Sequence, residues 1–326
     1  MMRPSRRRFL QLGALAAAAP AVARRACALD YPTRPVRIFE GFGGGGTPDL
    51  MSRLIGQWLA QRLHQPFVVE NRTGAGGNLA AEAVATAAPD GYTLLTCVTA
   101  NAINATLYDK LDFDFLRDLA PVAGVIRLPM VVLVNLSFPA RTLAEFIAYA
   151  KANPGKINMA SPGIGTPMHV AAELVKMQAG IELVHVPYRG PTPAFTDLMA
   201  GRVDAFIITL STALGFLKTD KLRALAVTSA ARSDVVSTVP SVSEILPDFD
   251  ATAWDGWSAP AGTPAIIVEV LSSNIVAGLG DPQLKLPVKE LGGEIVPMNA
   301  AAFGKFVATE TAKWNKVIKF AGLKAG

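Results

Sequence analysis

Val36-Arg37-Ile38-Phe39-Glu40 runs straight into Gly41-Phe42-Gly43-Gly44-Gly45-Gly46 and then into Thr47-Pro48-Asp49-Leu50. An apolar β-branched run reads as a strand, the glycines as a loop, and Leu50, Leu54 and Trp58 have the spacing of a helix face. Strand, loop and helix in that order are the first half of a βαβ unit. Working outward, Phe67–Glu70 and Tyr92–Val98 read as further strands, with the Asn78–Ala87 segment helical between them. The second half repeats the rhythm. Strands are expected near Met130–Val134, Ile157–Ala160, Leu183–Val186, Ala205–Thr209 and Leu222–Thr228, and helices near Thr142–Ala152, Pro167–Gln178 and Pro193–Ala200. The pattern predicts an α/β protein of two similar units, each a mostly parallel sheet flanked by helices, joined near Val122–Pro129. A return strand at Trp254–Ala259, followed by helices near Pro264–Ala277, Pro282–Leu291 and Ala300–Phe320, sends the C-terminal part back to the first unit.

Four helix starts share one device, Thr47-Pro48, Thr166-Pro167, Thr192-Pro193 and Thr263-Pro264. Each threonine is expected at the N-cap and each proline at the first helical position, where its missing amide costs nothing. What sets the first two apart is the glycine-rich loop before them, Gly43–Gly46 in one case and Ser161-Pro162-Gly163-Ile164-Gly165 in the other. Glycine lets backbone approach a ligand closely, and a helix N-terminus offers free amides and partial positive charge. A third loop, Asn71-Arg72-Thr73-Gly74-Ala75-Gly76-Gly77-Asn78, follows the second strand. In open α/β sheets ligands sit beyond the carboxyl ends of strands, so the three loops can face one crevice whose natural occupant is an anion. Gly41-Phe42-Gly43-Gly44-Gly45-Gly46 also satisfies G-x-G-x-x-G, with Glu70 at the end of the next strand, and this keeps a dinucleotide-binding oxidoreductase open as the rival reading.

The formal charge of +5 invites a nucleic-acid reading, yet residues 1–28 hold Arg3, Arg6, Arg7, Arg8, Arg24 and Arg25 and no acid. Without them the chain carries about −1, which removes the basic surface that nucleic-acid binding requires. Ser5-Arg6-Arg7-Arg8-Phe9-Leu10 ahead of the apolar stretch Leu12–Val22 has the form of a twin-arginine export signal, too short to span a bilayer. Ala26-Cys27-Ala28 is an Ala-x-Ala site, which predicts a mature start near Leu29; lipidation of Cys27 is the alternative, opposed by Arg24 and Arg25. Cys97 is then the sole thiol, expected as a buried small hydrophobe in a periplasmic, soluble, monomeric product.

Other chemistry is sparse. No G-x-S-x-G, H-E-x-x-H or G-x(4)-G-K-[ST] pattern occurs, so neither a nucleophile site nor a metal is expected. His64 and His185 read as structural, and Asp197 and Asp204 as a helix face and a turn. His169, in the first turn after Thr166, could touch a ligand. No cofactor is expected under the leading reading, and no catalytic residue.

Taken together, Phe42-x-x-Gly45-Gly46-x-x-Asp49, Glu70-Asn71-Arg72-x-Gly74-Ala75-Gly76-Gly77-Asn78, Ala88-Pro89-Asp90-Gly91-Tyr92, Val186-Pro187-Tyr188-Arg189-Gly190, Leu222–Thr228 and Ala259-Pro260-Ala261-Gly262-Thr263-Pro264 resemble the Bug, or tripartite tricarboxylate transporter, substrate-binding receptors from Tyr31 onward. The resemblance implies a two-domain periplasmic-binding-protein fold of type II, a Venus flytrap, with residues 29–126 and 253–326 in one domain and 127–252 in the other. It implies a small carboxylate held in the cleft by Phe42, Gly44, Gly45, Thr47 and Asp49, by Gly74, Ala75, Gly76 and Asn78, and by Thr99. From the second domain it implies Ser161, Gly163, Thr166, Tyr188 and Thr209. The implied partner is a membrane permease, or a sensor kinase if the receptor serves signalling. Two positions depart from the family pattern. Glu40-Gly41 replaces an apolar residue and proline, so Glu40 either pairs with Arg72 or another base or accepts an ammonium group; Ile208 replaces a frequent polar residue.

Overall fold

The computed structural model describes residues 30–219 and 221–325, so the expectations placed on Arg6, Arg7, Cys27 and Leu29 lie outside the described residues. β1 (Val36–Glu40), α1 (Thr47–Leu63), β2 (Phe67–Asn71), α2 (Asn78–Ala85) and β3 (Thr93–Val98) build the first unit, with β1 lying parallel between β2 and β3. Helix α1 forms because Met51, Ile55 and Leu59 recur on one face, which the sheet buries. After α3 (Thr99–Leu107) and β4 (Leu119–Asn135), the second unit repeats the pattern with α4 (Leu143–Ala152), β5 (Asn158–Ser161), α5 (Pro167–Ala179), β6 (Val184–Pro187), α6 (Pro191–Met199) and β7 (Ala205–Thr209). There β5 lies parallel between β6 and β7. Helix α7 (Leu210–Leu217), β8 (Leu222–Val227), β9 (Thr252–Pro260), α8 (Ala265–Gly278), α9 (Pro282–Glu290), β10 (Glu294–Met298) and α10 (Ala300–Ala321) complete the described chain.

Strand β4 corrects the expected join. The segment Val122–Pro129 is part of a continuous 17-residue strand. Its first part pairs antiparallel with β9 and β10, and from Met130 onward it pairs with β7 and β8. Pro121 sits beside a slip in the pairing with β9, which slips again between Gly124 and Ile126, and Pro129 stands at the last pair with β9, just before β7 and β8 take over, places where a missing amide is tolerated. The two sheets, β2-β1-β3-β9-β4-β10 and β6-β5-β7-β4-β8, thus share one strand. Each is parallel in its outer half and antiparallel around β4, a mixed α/β architecture. Val131–Val134 are buried on both faces, which explains their unbroken apolar run.

Helix α10 ties the units together. Trp314 and Val317 belong to the same hydrophobic cluster as Phe39 and Leu95 of the first sheet and Met130 and Met159 of the second. Trp254 Nε1 and Trp314 Nε1 donate to buried Glu310 Oε2 at 3.0 and 3.1 Å, giving that carboxylate the partners its burial demands.

The Thr-Pro device also needs correcting. Of these four threonines only Thr166 caps its helix, its Oγ1 accepting from His169 N at 3.3 Å. Gly46 holds the N-cap of α1 and Gly190 that of α6, while Thr263 lies before Pro264 and donates its hydroxyl to Pro260 O at 2.7 Å. Proline in the first turn tolerates several offsets, and a preceding glycine takes the extended cap position as easily as threonine does.

Candidate functional site

Because β1 lies between β2 and β3, the chain leaves its carboxyl end in one direction and that of β3 in the other, which opens a crevice there. The same 2-1-3 order around β5 opens a matching crevice in the second sheet. Antiparallel pairing sets Val98 opposite Asp255 and Thr209 opposite Met130, so both crevices lie towards the stretch where β4 exchanges partners.

The first loop, Gly43–Gly46, is exposed, and the amides of Gly43 and Gly44 make no hydrogen bond among the described residues. Its shape is fixed from below. Buried Asp49 accepts from Gly45 N at 2.9 Å and from Asn71 Nδ2 at 2.9 Å, and pairs with Arg53 at 2.8 Å. The Arg53 guanidinium holds the Asp49 carboxyl down to about 2. Asp49, expected as a ligand contact, is instead the fastener of the loop, since its acceptors are occupied and its charge would repel a carboxylate. Gly45 has φ +87°, a conformation in which the loop needs glycine.

The second loop is left-handed throughout. Gly74, Ala75, Gly76 and Gly77 have φ of +135°, +47°, +64° and +91°. A turn of either hand leaves its first amides unpaired, and Gly77 N returns to Gly74 O at 2.9 Å while the amides of Ala75 and Gly76 stay free among the described residues. Ala75 is the one residue of the turn that bears a side chain against its backbone preference, the kind of strain that concentrates at functional sites. Gly41 lets the first two loops meet, because a Cβ there would lie 2.6 Å from Gly77 Cα, and Gly77 in turn packs under the Phe42 ring.

Helix α3 carries no apolar periodicity and escaped sequence reasoning, yet it joins the two halves of the site. Asn104 Nδ2 donates to Gly76 O and Asn78 Oδ1, both at 2.9 Å, and Leu107 packs where a Cβ of Gly165 would be. A pair of asparagines 26 residues apart was the available signal. In the third loop Ser161 is buried at the end of β5, Gly163 has φ +147°, and Thr166 holds Gly163 O at 2.8 Å.

Several expected contacts have partners within the fold or are buried. Thr99 is buried with its hydroxyl accepting from Trp254 N at 2.7 Å, so it fastens α3 to β9. Tyr188 donates its hydroxyl to Asp197 Oδ2 at 2.8 Å, although its backbone N reaches Ser161 O at 2.9 Å beside the third loop. Thr209 caps the entry of α7 and shares a hydrogen bond of 2.8 Å with Thr212. Thr47 lies half-buried in the first turn of α1. Buried Asn78 has a free Nδ2. His169 is buried and touches the loop rather than open space.

Glu40 does not pair with Arg72. Arg72 lies over the Phe39 ring at 3.8 Å, and Glu40 Oε2 accepts from Phe42 N at 2.9 Å and Asn71 Nδ2 at 3.0 Å. Glu40 is fully buried, its Oε1 has no partner, and burial raises its pKa, so an ammonium group arriving from the crevice would not reach it. The dinucleotide reading also loses its acid: Glu70 Oε1 and Oε2 both accept from Arg37, at 2.6 and 2.8 Å. Cys97 is buried and its thiol is pushed up to about 12 by that burial, as expected for a packing residue.

Residues 51–323 match the model of the tripartite tricarboxylate transporter family receptor. A protein of Pseudomonas sp. strain P51, described as "UPF0065 protein in tcbD-tcbE intergenic region", is 35% identical over 94% of this chain and 92% of its own length. Protein BugT of Bordetella pertussis is 33% identical over 90% of this chain and 91% of its own. Among solved structures, R. palustris Rpa4515 with adipate is 34% identical, with a TM-score of 0.77 over 90% of this chain and 99% of that one. MatC (Rpa3494) from Rhodopseudomonas palustris with bound malate is 31% identical, with a TM-score of 0.74 over 88% of this chain and 100% of that one.

Proposed function

Since the chain belongs to the tripartite tricarboxylate transporter family of receptors, we propose that it is an exported receptor whose three amide-bearing loops close on a small organic carboxylate. Family members are substrate-binding receptors and include a structurally similar periplasmic transporter. The observation that carries the reading is the convergence of free backbone amides, at Gly43, Gly44, Ala75 and Gly76, on the carboxyl edge of one sheet, opposite the loop Ser161–Thr166 of the other. The acid-bound relatives, one with adipate and one with malate, support the choice of ligand class. Residues 29–126 with 253–326 and residues 127–252 act as the two lobes, hinged where β4 changes partners between Pro129 and Met130. The binding set is Phe42, Gly44, Gly45, Thr47, Gly74, Ala75, Gly76 and Asn78 from one lobe, and Ser161, Gly163 and Thr166 from the other, with Tyr188 and Thr209 at its margin. The receptor acts as a monomer without a catalytic step and hands its acid to a membrane permease.

A ligand that binds only the native state adds RT ln(1 + [L]/Kd), about 2.7 kcal/mol at a hundredfold excess over Kd, enough to raise Tm by a few degrees. Thermal shift against adipate, malate, citrate and aspartate is the direct screen. A rise with at least one acid is expected, and flat curves across the panel would count against the receptor.

Export by the twin-arginine route follows from Arg6-Arg7 ahead of Phe9-Leu10. Replacing both arginines with lysine is expected to leave precursor in the cytoplasm. Undiminished accumulation in the periplasm would assign another route.

A further inference from the structure

His169 and His185 stack with ring centroids 3.6 Å apart and planes 14° from parallel. They come from different elements, His169 from the first turn of α5 and His185 from β6, and both reach back to the loop Ser161–Thr166. Ser161 Oγ lies 3.2 Å from Gly163 N, which donates to it, and 3.1 Å from Gly163 O, which accepts its hydrogen. His185 Nε2 stands 2.6 Å from the same oxygen. A hydroxyl has one hydrogen and two lone pairs. The arrangement that keeps the Ser161 hydrogen on Gly163 O and one lone pair on Gly163 N–H leaves His185 an acceptor position on Oγ, and this assigns the His185 proton to Nε2. On the other ring, Gly165 N donates to His169 Nδ1 at 3.1 Å, which puts that proton on Nε2 as well, facing Glu173 at 3.7 Å. Lys176 Nζ donates to Glu173 Oε1 at 2.9 Å. Burial first, then for His169 the competing charge of His185 and of Lys176, and for His185 that of Lys176, holds His169 to about 3 and His185 to about 4, so both rings are neutral.

We propose that His169 and His185 are positioning residues for the third loop, a stacked pair of neutral Nε2–H imidazoles that fixes where the Gly163 and Gly165 amides point and keeps the Ser161 hydrogen available to a carboxylate. This rests on the reading that the loop faces the ligand. A bound carboxylate then competes with Gly163 O alone for the Ser161 hydrogen, because His185 cannot take it. The pair acts on specificity through the loop and touches no ligand atom itself.

The test has one arm without ligand and one with it. Nitrogen-15 imidazole spectra of the full mature chain should show the Nε2–H tautomer in both residues. Amide exchange at Gly165 should rise in His169→Leu, which has no acceptor, and fall back in His169→Asn, whose carboxamide oxygen stands where Nδ1 was. His185→Leu and His185→Gln make the same comparison for Ser161 and Gly163. With malate and adipate as probes, the leucine variants should lose affinity by about tenfold, the worth of one hydrogen bond, and the amide variants should recover most of it. An Nδ1–H tautomer in either ring, or leucine variants with wild-type exchange and affinity, would overturn the proposal. Should the wild-type chain bind neither acid, the choice of ligand fails, while the tautomers and the exchange rates still decide the role of the two rings.

Discussion

Replacing Asp255 with asparagine will flatten a fall in stability that the wild-type chain shows as pH rises from about 4 to about 8. Asp255 is buried on β9 between Val98 of β3 and Ile126 of β4, and its Oδ2 has no partner among the described residues. Burial first, then the charge of Glu40 on β1, pushes its pKa up to about 8, far above the usual aspartate value near 3.9. Glu40 is the carboxyl that faces it, and the Cys97 thiol on β3 is its other titratable neighbour. The native state therefore holds a proton through a pH range where the unfolded chain has released it. With more protons bound in the native state, stability is fully present below the unfolded pKa and declines as pH rises to the folded one, by about 1.4 kcal/mol per pH unit. Asparagine has no proton to lose, so the two melting curves should diverge with pH, the variant being the more stable at pH 8. Glu40→Gln removes the neighbouring charge and should move the wild-type window to lower pH. Parallel Tm profiles for the wild-type chain and Asp255→Asn across this range would mean that Asp255 ionises in the native state like any exposed carboxylate.

This acidic pair marks the boundary of what the chain discloses before it is folded. Glu40 was legible as an oddity, an acid at the edge of a proposed anion site, but its companion lies more than two hundred residues away on a strand that returns from the other half of the chain. The parallel units were legible because their strands are short apolar runs with helical spacing between them. Strand β4 was not, since Pro121, Gly124 and Pro129 are breakers in isolation, and only the slips in the pairing with β9 and the change of partners after Pro129 show how a strand absorbs them. Helix α3 was hidden for a different reason. Thr99-Ala100-Asn101-Ala102-Ile103-Asn104 buries asparagines whose amides bind the backbone of another loop, so no apolar period exists to be seen. Among the expected site residues, the glycines were legible as local backbone demands, whereas the partners of Asp49 and Thr99 were not, because side-chain partners depend on what packs beside them. The two histidines were each visible, but nothing in a spacing of sixteen residues on different elements shows that their rings stack.

Gly45→Val and Gly163→Val will abolish carboxylate binding in folded protein, whereas Gly262→Val will weaken the fold by a similar amount and leave affinity intact. All three positions have a positive φ, +87°, +147° and +84°, so a branched side chain strains each by about 1–3 kcal/mol and lowers each Tm by a few degrees. They are also matched in space. A Cβ at Gly45 meets nothing within 4 Å, at Gly163 it meets Thr166 Cγ2 at 3.6 Å, and at Gly262 it meets Pro89 at 3.8 Å, so none of the substitutions drives a clash through the core. What differs is the end of the sheet. Gly45 and Gly163 follow the carboxyl ends of β1 and β5. β9 runs antiparallel to β3, with Leu95 opposite Ser258 and Val98 opposite Asp255, so Gly262 beyond its end lies at the amino edge of β3, next to Pro89. The open space in front of Gly45 is where a carboxylate must come within hydrogen-bond reach of the Gly43 and Gly44 amides, and an isopropyl group placed there keeps it away. Titration calorimetry with whichever acid raises Tm, run on each variant after circular dichroism has confirmed its fold, should give no measurable heat for the first two, at least a hundredfold loss in affinity, and a wild-type Kd for the third. Near-normal affinity in folded Gly45→Val and Gly163→Val would remove both loops from the site, and loss of affinity in Gly262→Val as well would show that backbone strain rather than occupied space had been measured.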